Sequence, residues 1–277
     1  MRKRTVSSTS YGSVVTFFSE SYFKVEHVFK TTAYLRSLKD DSLILISSHR
    51  WRSPFTVNIV EENAGEIVSP GEILSLEDGK IEGSTSTIDL TSSELYQQRI
   101  PPINGDGLSR ERINMLSAQF RVLSTAWEGV LGSVVLNRIC RNRDRIFSEE
   151  TLGELVGAGG GFTPSGDDFL VGLLSSLTIA EEKLGIKIHL PIEDKYLFGR
   201  TSWASAQYIK YARMGLYDEL VLENAVSIFR GDPETEDLFL LLARRGHESG
   251  LYIWLGLITG YSLIKYNEPV ALKYVCG

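Results

Sequence analysis

Residues 157–170 read Gly-Ala-Gly-Gly-Gly-Phe-Thr-Pro-Ser-Gly-Asp-Asp-Phe-Leu, a glycine-rich run that passes into the start of a helix. Glycine admits positive φ and lets a backbone approach a ligand closely. Thr163 is a favoured N-cap and Pro164 suits the first helical position. Apolar residues then recur with helical spacing, at 170, 173, 174 and 177. The stretch predicts a loop that leads into a helix N-terminus with exposed backbone N–H groups.

This glycine-rich stretch has two interpretations. In the simpler one the glycines only form a turn, and Asp167 and Asp168 only complement the helix dipole. In the other one the stretch is a functional loop. Five glycines within ten residues, followed by Thr-Pro-Ser-Gly-Asp-Asp, exceed what a helix cap requires. The composition therefore favours a functional loop.

Composition limits the classes of protein that fit. The chain has 277 residues, 43% hydrophobic and 23% charged, which is ordinary for a globular protein. A net charge of −6 argues against nucleic acid as the main partner. Cys140 and Cys276 lack a Cys-x-x-Cys arrangement, so free thiols in a reducing cytoplasm are expected. The N-terminus lacks the apolar run of a signal peptide, and the apolar stretch 251–264 is too short to span a bilayer. We expect a soluble cytoplasmic protein with no membrane partner.

The first part of the chain reads as strands. Between residue 11 and about residue 100, short runs of β-branched and aromatic residues alternate with turn signals. Strand-like runs lie at 14–18, 22–25, 43–46 and 55–60, and residues 31–38 read as one short helix. Many short strands with frequent turns predict an antiparallel β sandwich or a barrel-like domain.

Residues 100–107, Ile-Pro-Pro-Ile-Asn-Gly-Asp-Gly, interrupt any regular element. A domain boundary here gives a β-rich N-terminal domain over 1–107 and a domain over 108–277 that carries the glycine-rich loop. After the boundary the apolar residues recur with a period near 3.6, which predicts a mainly α-helical second domain. The predicted fold class is α+β.

Individual helices of the second domain follow from their caps and periodicity. Ser109 is a predicted N-cap of a run that continues through Trp127, Val130 and Leu131 to Ile139, with a break expected at Gly129 or Gly132. Ser148 is the predicted N-cap of a short helix before the loop, and the loop helix is expected to stop at Gly185. Further helices are predicted over 200–214, 217–229, 233–244 and 249–265.

Polar residues crowd three helix starts: the glycine-rich loop, residues 199–205 and residues 246–250. Taken singly, Thr201 and Ser249 read as plain N-caps and His247 as a surface histidine. Taken together, three polar helix starts in one domain predict a shared pocket for an anion or a carboxylate. We expect His247, Ser249 and Thr201 around the same cleft as Asp167 and Asp168.

Common enzyme signatures are missing from the sequence. No Gly-Lys-Ser/Thr follows the glycines, and they follow a helical segment, which disfavours a P-loop and a dinucleotide fold. No histidine pair has zinc-ligand spacing, so no metal ligands are predicted. Ser165 lies in no nucleophile elbow.

The chemistry that fits is recognition of an amide or a carbamoyl group. Backbone N–H groups and hydroxyls would hold a carboxylate, a carbonyl or a phosphate, and Asp167 or Asp168 would accept hydrogen bonds from a substrate –NH₂. His247 would move a proton near neutral pH. No cofactor is assigned from the sequence, and Mg²⁺ is left open because it would relieve the repulsion between the aspartates and a phosphate. The predicted catalytic residues are Asp167, Asp168 and His247, and the predicted substrate-binding residues are Gly159, Gly160, Gly161, Thr163, Ser165, Gly166, Thr201 and Ser249.

Residues 161–172, Gly-Phe-Thr-Pro-Ser-Gly-Asp-Asp-Phe-Leu-Val-Gly, resemble a family signature that typically reads Leu-Thr-Pro-Ser-Gly-Asp-Asp-Phe-Leu-Ala-Gly. Residues 246–250, Gly-His-Glu-Ser-Gly, are similar to the Gly-His-Ser-Ser-Gly of the same family. The family is that of the AllH-like subunit of oxamate carbamoyltransferase. Phe162 replaces the usual leucine, and Glu248 replaces a serine and adds negative charge beside His247.

The resemblance implies a subunit that works with other subunits in purine and allantoin nitrogen catabolism. Their assembly would convert oxalurate and phosphate to oxamate and carbamoyl phosphate. Family members also occur outside purine breakdown, so the substrate is left open as a small carboxylate, an amide or carbamoyl phosphate. A second interpretation is a non-catalytic scaffold or an anion-binding subunit whose loop docks a partner. The sequence also leaves homo-oligomerisation open.

Overall fold

The computed structural model describes residues 3–126, 133–192, 194–197 and 199–277. The chain forms two compact units. One extends to Arg99 and includes residues 216–219, and the other comprises residues 100–215 and 220–277. The division into domains over 1–107 and 108–277 stays a prediction.

The first unit is a β-barrel of mixed strand direction. Its strands are β1 (Arg4–Gly12), β2 (Ser21–Val28), β3 (Thr32–Ser37), β4 (Leu43–Ser47), β5 (Thr56–Ile59), β6 (Ile73–Glu77), β7 (Lys80–Glu82), β8 (Ser86–Asp89) and β9 (Glu94–Tyr96). Eight of them follow the order β5-β4-β3-β2-β6-β7-β8-β1, and β1 pairs back with β5 to complete the ring. The barrel alternative of the sequence prediction is therefore confirmed.

Three strand pairings are parallel, where the sequence predicts antiparallel ones. They are β1 with β8, β1 with β9, and β4 with β5. Antiparallel neighbours can be joined by a tight hairpin, whereas parallel neighbours need a longer connection. The turn signals identify the hairpins but carry no information on which distant strands meet.

Two local predictions in the barrel are wrong, and β1 and β6 to β9 were not located individually. Residues 15–18 form a short 3-10 helix instead of a strand. Residues 32–37 form β3 instead of a helix. Their side chains alternate between buried and half-buried, and their backbone pairs with both β2 and β4. The polar N-terminal segment forms β1, which completes the ring.

The second unit is mainly helical, as predicted. Its helices are α1 (Arg110–Ala126), α2 (Val134–Arg141), α3 (Glu149–Leu155), α4 (Ser165–Leu184), α5 (Asp194–Leu197), α6 (Trp203–Arg213), α7 (Glu219–Arg230, whose first residue lies in the other unit), α8 (Thr235–Ala243), α9 (Ser249–Tyr266) and α10 (Val270–Val275). The predicted caps at Ser109 and Ser148 are confirmed, because their hydroxyls accept from Arg112 N and Thr151 N. Gly185 ends α4 in the left-handed conformation. The predicted break at Gly129 or Gly132, with Trp127, Val130 and Leu131, lies outside the described residues.

Helices α4 and α9 pack in parallel, with glycines at their contact. A Cβ at Gly172 would lie 1.9 Å from Ile253 O, and a Cβ at Gly256 would lie 2.1 Å from Phe169 O. Only glycine permits such an approach of two backbones. Since residues near the start of α4 contact residues near the start of α9, both N-termini lie at the same end of the pair.

The cysteines form a disulfide between Cys140 on α2 and Cys276, which follows α10. The prediction of free thiols is wrong. The two cysteines are 136 residues apart in sequence, and the spacing of cysteines does not reveal which helices pack together. The predicted cytoplasmic location loses the support of free thiols and stays a prediction.

Within the described ranges, no helix combines the length and the apolar character needed to cross a bilayer.

Candidate functional site

The hydroxyls at the start of α4 do not cap the helix. The N-cap residue is Pro164, which has no side-chain donor or acceptor for the purpose, so the predicted cap by Thr163 or Ser165 is wrong. The Thr163 hydroxyl instead lies 3.0 Å from Ser249 Oγ, and the Ser165 hydroxyl donates to Glu248 Oε2 at 3.1 Å. Both hydroxyls therefore connect the start of α4 to the segment that begins α9.

The glycines of the loop differ in what the structure requires of them. Gly157 has a φ of +71°, and a Cβ there would lie 1.8 Å from Arg200 O. A Cβ at Gly166 would lie 2.1 Å from Leu155 O. Gly160 and Gly161 have no atom within 4 Å of a Cβ position. Gly157 and Gly166 therefore permit close packing of the backbone, whereas the space next to Gly160 and Gly161 is open.

The loop presents backbone donors for which the described residues provide no acceptor. Among the described residues, no acceptor is found for the N–H groups of Gly159, Gly160, Gly161, Thr163 and Ser165, whereas Gly166 N donates to Ala158 O at 2.8 Å. Unpaired N–H groups next to a helix N-terminus attract anions, because they add to the positive end of the helix dipole.

Asp167 is buried, with 1% of its surface exposed, and is surrounded by donors. Gly157 N donates to its Oδ1 at 2.8 Å, and the Thr201 hydroxyl donates to its Oδ2. The Ser205 hydroxyl also hydrogen-bonds to this carboxyl. Burial raises the pKa of Asp167, and these hydrogen bonds oppose the increase. Asp167 thus ties the loop and the start of α6 to α4.

Asp168 is buried to a similar extent, with 7% of its surface exposed, but has fewer partners. The Ser249 hydroxyl hydrogen-bonds to its carboxyl, while Oδ2 has no partner among the described residues. Burial, with smaller contributions from Asp167 and Glu248, raises the pKa of Asp168 well above its ordinary value, and the positive charge of Arg245 opposes the change. An unpartnered buried oxygen is costly unless a ligand satisfies it.

Three helix starts therefore converge, as the sequence predicts for a shared site. Ser202, the N-cap of α6, donates to Phe162 O at 2.9 Å and so holds the loop from a second side. Ser249 contacts Thr163 and Asp168, and Thr201 contacts Asp167. The catalytic and binding roles predicted for these residues stay predictions.

His247 is exposed in the turn before α9, next to Glu248 in sequence. Its predicted proton-transfer role stays a prediction. Glu248 and Arg245 were missed as members of the cluster. Glu248 was visible as an acidic residue beside His247, but no sequence signal places Arg245 near Asp168. Among the described residues, no group of three His, Cys, Asp or Glu side chains could hold a metal ion.

Comparisons with known proteins agree with the motif resemblance. No curated protein and no solved structure matches the chain. A family model does match, over residues 155–261, a range that contains all three polar helix starts. The family resemblance predicted from the glycine-rich segment is therefore confirmed over residues 155–261, which match the model of the family described as oxamate carbamoyltransferase subunit AllH.

Proposed function

We propose that this chain is a subunit of a carbamoyltransferase and that the converging starts of α4, α6 and α9 form its substrate site. The observation that carries the proposal is the overlap between the family match and the site. The matched range, 155–261, includes the unpaired loop N–H groups, both aspartates and the turn before α9. The reaction we propose is the conversion of oxalurate and phosphate to oxamate and carbamoyl phosphate.

The loop would bind the negative end of the substrate. The N–H groups of Gly160 and Gly161 are backbone donors in an open part of the loop, Gly159 lies against Ser165, and the N–H groups of Thr163 and Ser165 adjoin the helix N-terminus. Such donors suit a carboxylate or a phosphate. Gly166, whose own N–H is paired, contributes by letting the loop approach α3 closely.

The reaction needs one bond exchange and one proton. An oxygen of phosphate attacks the carbamoyl carbon of oxalurate, a C–O bond forms, the C–N bond breaks, and the departing nitrogen takes a proton to become the amide of oxamate. Asp168 fits the role of proton donor, because its raised pKa lets it keep a proton to a higher pH than a solvated aspartate. Asp167 would act as a positioning residue, since both of its oxygens accept hydrogen bonds. His247 would take up or release protons at the exposed side of the site.

The proposed assembly has other subunits of the same complex as partners. The matching family, described as a subunit of oxamate carbamoyltransferase, supports this. We further propose a cytoplasmic location and retain self-association as an option. The described residues do not fit a Mg²⁺ site, because both oxygens of Asp167 already accept hydrogen bonds and no third His, Cys, Asp or Glu side chain among them joins the two aspartates.

The assay compares the chain alone with the chain in its complex. A tagged chain is purified from its native cells together with the subunits that bind it, and carbamoyl phosphate formation from oxalurate and phosphate is measured. We expect activity in the complex, and a loss of about 10²–10⁴-fold for Asp168→Asn, because an amide cannot donate a proton to the leaving group. A complex that binds oxalurate but forms no carbamoyl phosphate would contradict the proposed reaction.

The competing function is a non-catalytic scaffold or anion-binding subunit. Two observations favour it: His247 is exposed, and both oxygens of Asp167 already accept hydrogen bonds. Of the three predicted catalytic residues, Asp168 is then the one that is buried and has an oxygen without a partner among the described residues. In this case Asp168→Asn would leave the turnover of the complex unchanged.

A variant of the loop tests substrate binding directly. Gly160→Ala is expected to change the free energy of unfolding by less than about 0.5 kcal/mol, since its Cβ meets no atom within 4 Å. The same methyl group would occupy the space next to the N–H donors and weaken oxamate binding in calorimetry. Gly157→Ala is the steric control and should destabilise the protein, because its Cβ would meet Arg200 O. Unchanged oxamate affinity in Gly160→Ala would place the ligand elsewhere.

A further inference from the structure

Glu248 is a carboxylate at the site whose role the reaction above does not define. Its Oε2 accepts from the Ser165 hydroxyl at 3.1 Å, and its charge acts on Asp168. Ser165 is itself 94% buried, since only 6% of its surface is exposed. The buried hydroxyl therefore fixes the orientation of the Glu248 carboxylate at the start of α4.

The second oxygen of Glu248 is the feature that points to a ligand. The Ser165 hydroxyl engages only Oε2 of this carboxylate, and Asp168 Oδ2 is buried without a partner among the described residues. Asp168 Oδ2 is a buried acceptor and Glu248 Oε1 a further acceptor on a half-buried side chain, while the loop N–H groups are donors without an acceptor among the described residues. A ligand that satisfies both kinds has an oxyanion at one end and a nitrogen with its own hydrogen at the other.

We propose that Glu248 is a specificity-determining residue that accepts a hydrogen bond from the substrate nitrogen to which Asp168 gives its proton. This inference rests on the proposed function and names the substrate class more closely. The site would take small carboxylates that carry an amide or ureido nitrogen next to the acid group, and would discriminate against dicarboxylates of the same size. An ionised carboxylate only accepts hydrogen bonds, so a second carboxylate on the ligand would meet Glu248 without a proton to share.

Oxamate and oxalate form a matched pair of probes, because they differ mainly by an –NH₂ in place of an oxygen. Their dissociation constants are measured by calorimetry for the complex with wild-type chain, Glu248→Gln and Glu154→Gln. Glu154 is an exposed residue of α3, and its replacement controls for the loss of one negative charge.

We expect the wild type to prefer oxamate. Glu248→Gln should reduce the ratio of oxamate to oxalate affinity by about tenfold or more, because a charge-assisted hydrogen bond is lost. Glu154→Gln should leave the ratio unchanged.

The outcomes separate this inference from the proposed function. If the complex forms carbamoyl phosphate but Glu248→Gln keeps the wild-type ratio, the role of Glu248 is overturned and the proposed function stands. If the ratio shifts but no carbamoyl phosphate forms, the site recognises amide ligands and the proposed reaction fails. If MgCl₂ raises the melting temperature of the wild type and not of Glu248→Gln, the carboxylates hold a cation and the inference is overturned. If neither probe binds, the inference is overturned, and the carbamoyl phosphate assay alone decides the proposed function.

Discussion

Asp167→Ala is expected to lower the free energy of unfolding by about 2–3 kcal/mol, because it removes the acceptor of several donors at once. Gly157 N–H, the Thr201 hydroxyl and the Ser205 hydroxyl would all lose their partner. Burial of the carboxyl opposes this effect, since it raises the pKa of Asp167 and penalises the charged form. We expect the unpaired donors to dominate, because the loop and α6 are both attached through them. The measurement is urea unfolding at pH 7.

Asp167→Asn and Asp168→Asn are the controls for this prediction. At position 167 an amide oxygen still accepts from Gly157 N–H, so stability should stay near the wild-type value. At position 168 stability should increase at neutral pH. Because the folded-state pKa of Asp168 is raised, its contribution to stability is complete below the ordinary aspartate pKa and is lost as pH rises through the raised pKa. Asparagine removes this pH-dependent loss. Equal destabilisation by alanine and asparagine at 167 would show that charge, not hydrogen bonding, matters there.

Loss of the Cys140–Cys276 disulfide is expected to destabilise the second unit by about 2–5 kcal/mol. The bond closes a loop of 136 residues. A cross-link restricts the unfolded chain more strongly when the loop that it closes is longer. Urea unfolding of the oxidised protein, the reduced protein and the Cys140→Ser/Cys276→Ser variant measures the effect. The reduced protein and the double variant should unfold at similar urea concentrations.

Thiol titration provides the check on the same bond. Protein that is denatured without reductant should show no reaction with a thiol reagent, because both cysteines are paired. Reductant should have no effect on the stability of the double-serine variant. Two reactive thiols in the unreduced protein would contradict the disulfide and return support to a reducing compartment.

The features that the sequence predicts well depend on neighbours along the chain. Ser109, Ser148 and Gly185 end or begin helices through bonds to residues within four or five positions. The β4 and β5 strands follow from their own composition. The convergence of helix starts was also predictable, because an excess of polar residues at three starts is visible without knowing the fold.

The features that were missed depend on residues far apart in sequence. Thr163 has a side chain suited to a helix cap, but its hydroxyl instead contacts the hydroxyl of Ser249, 86 positions further along the chain. Glu248 accepts a hydrogen bond from Ser165, which lies 83 positions earlier in the chain. The sequence therefore pointed to its neighbour His247 as the site residue instead. The barrel closure between β1 and β5 and the disulfide have the same cause. Each is an outcome of packing, which periodicity and caps do not encode.

The glycine contacts between α4 and α9 have a consequence for mutational tolerance. Gly260 lies eleven residues beyond Ser249, roughly 16 Å along the helix axis. A Cβ there would come within 2.8 Å of Ser176 Cβ, and those at Gly172 and Gly256 would meet backbone. A side chain at any of these positions would displace one helix from the other and alter the spacing of Thr163 and Ser249. Libraries that seek new substrates should therefore hold these remote glycines fixed and vary the exposed loop.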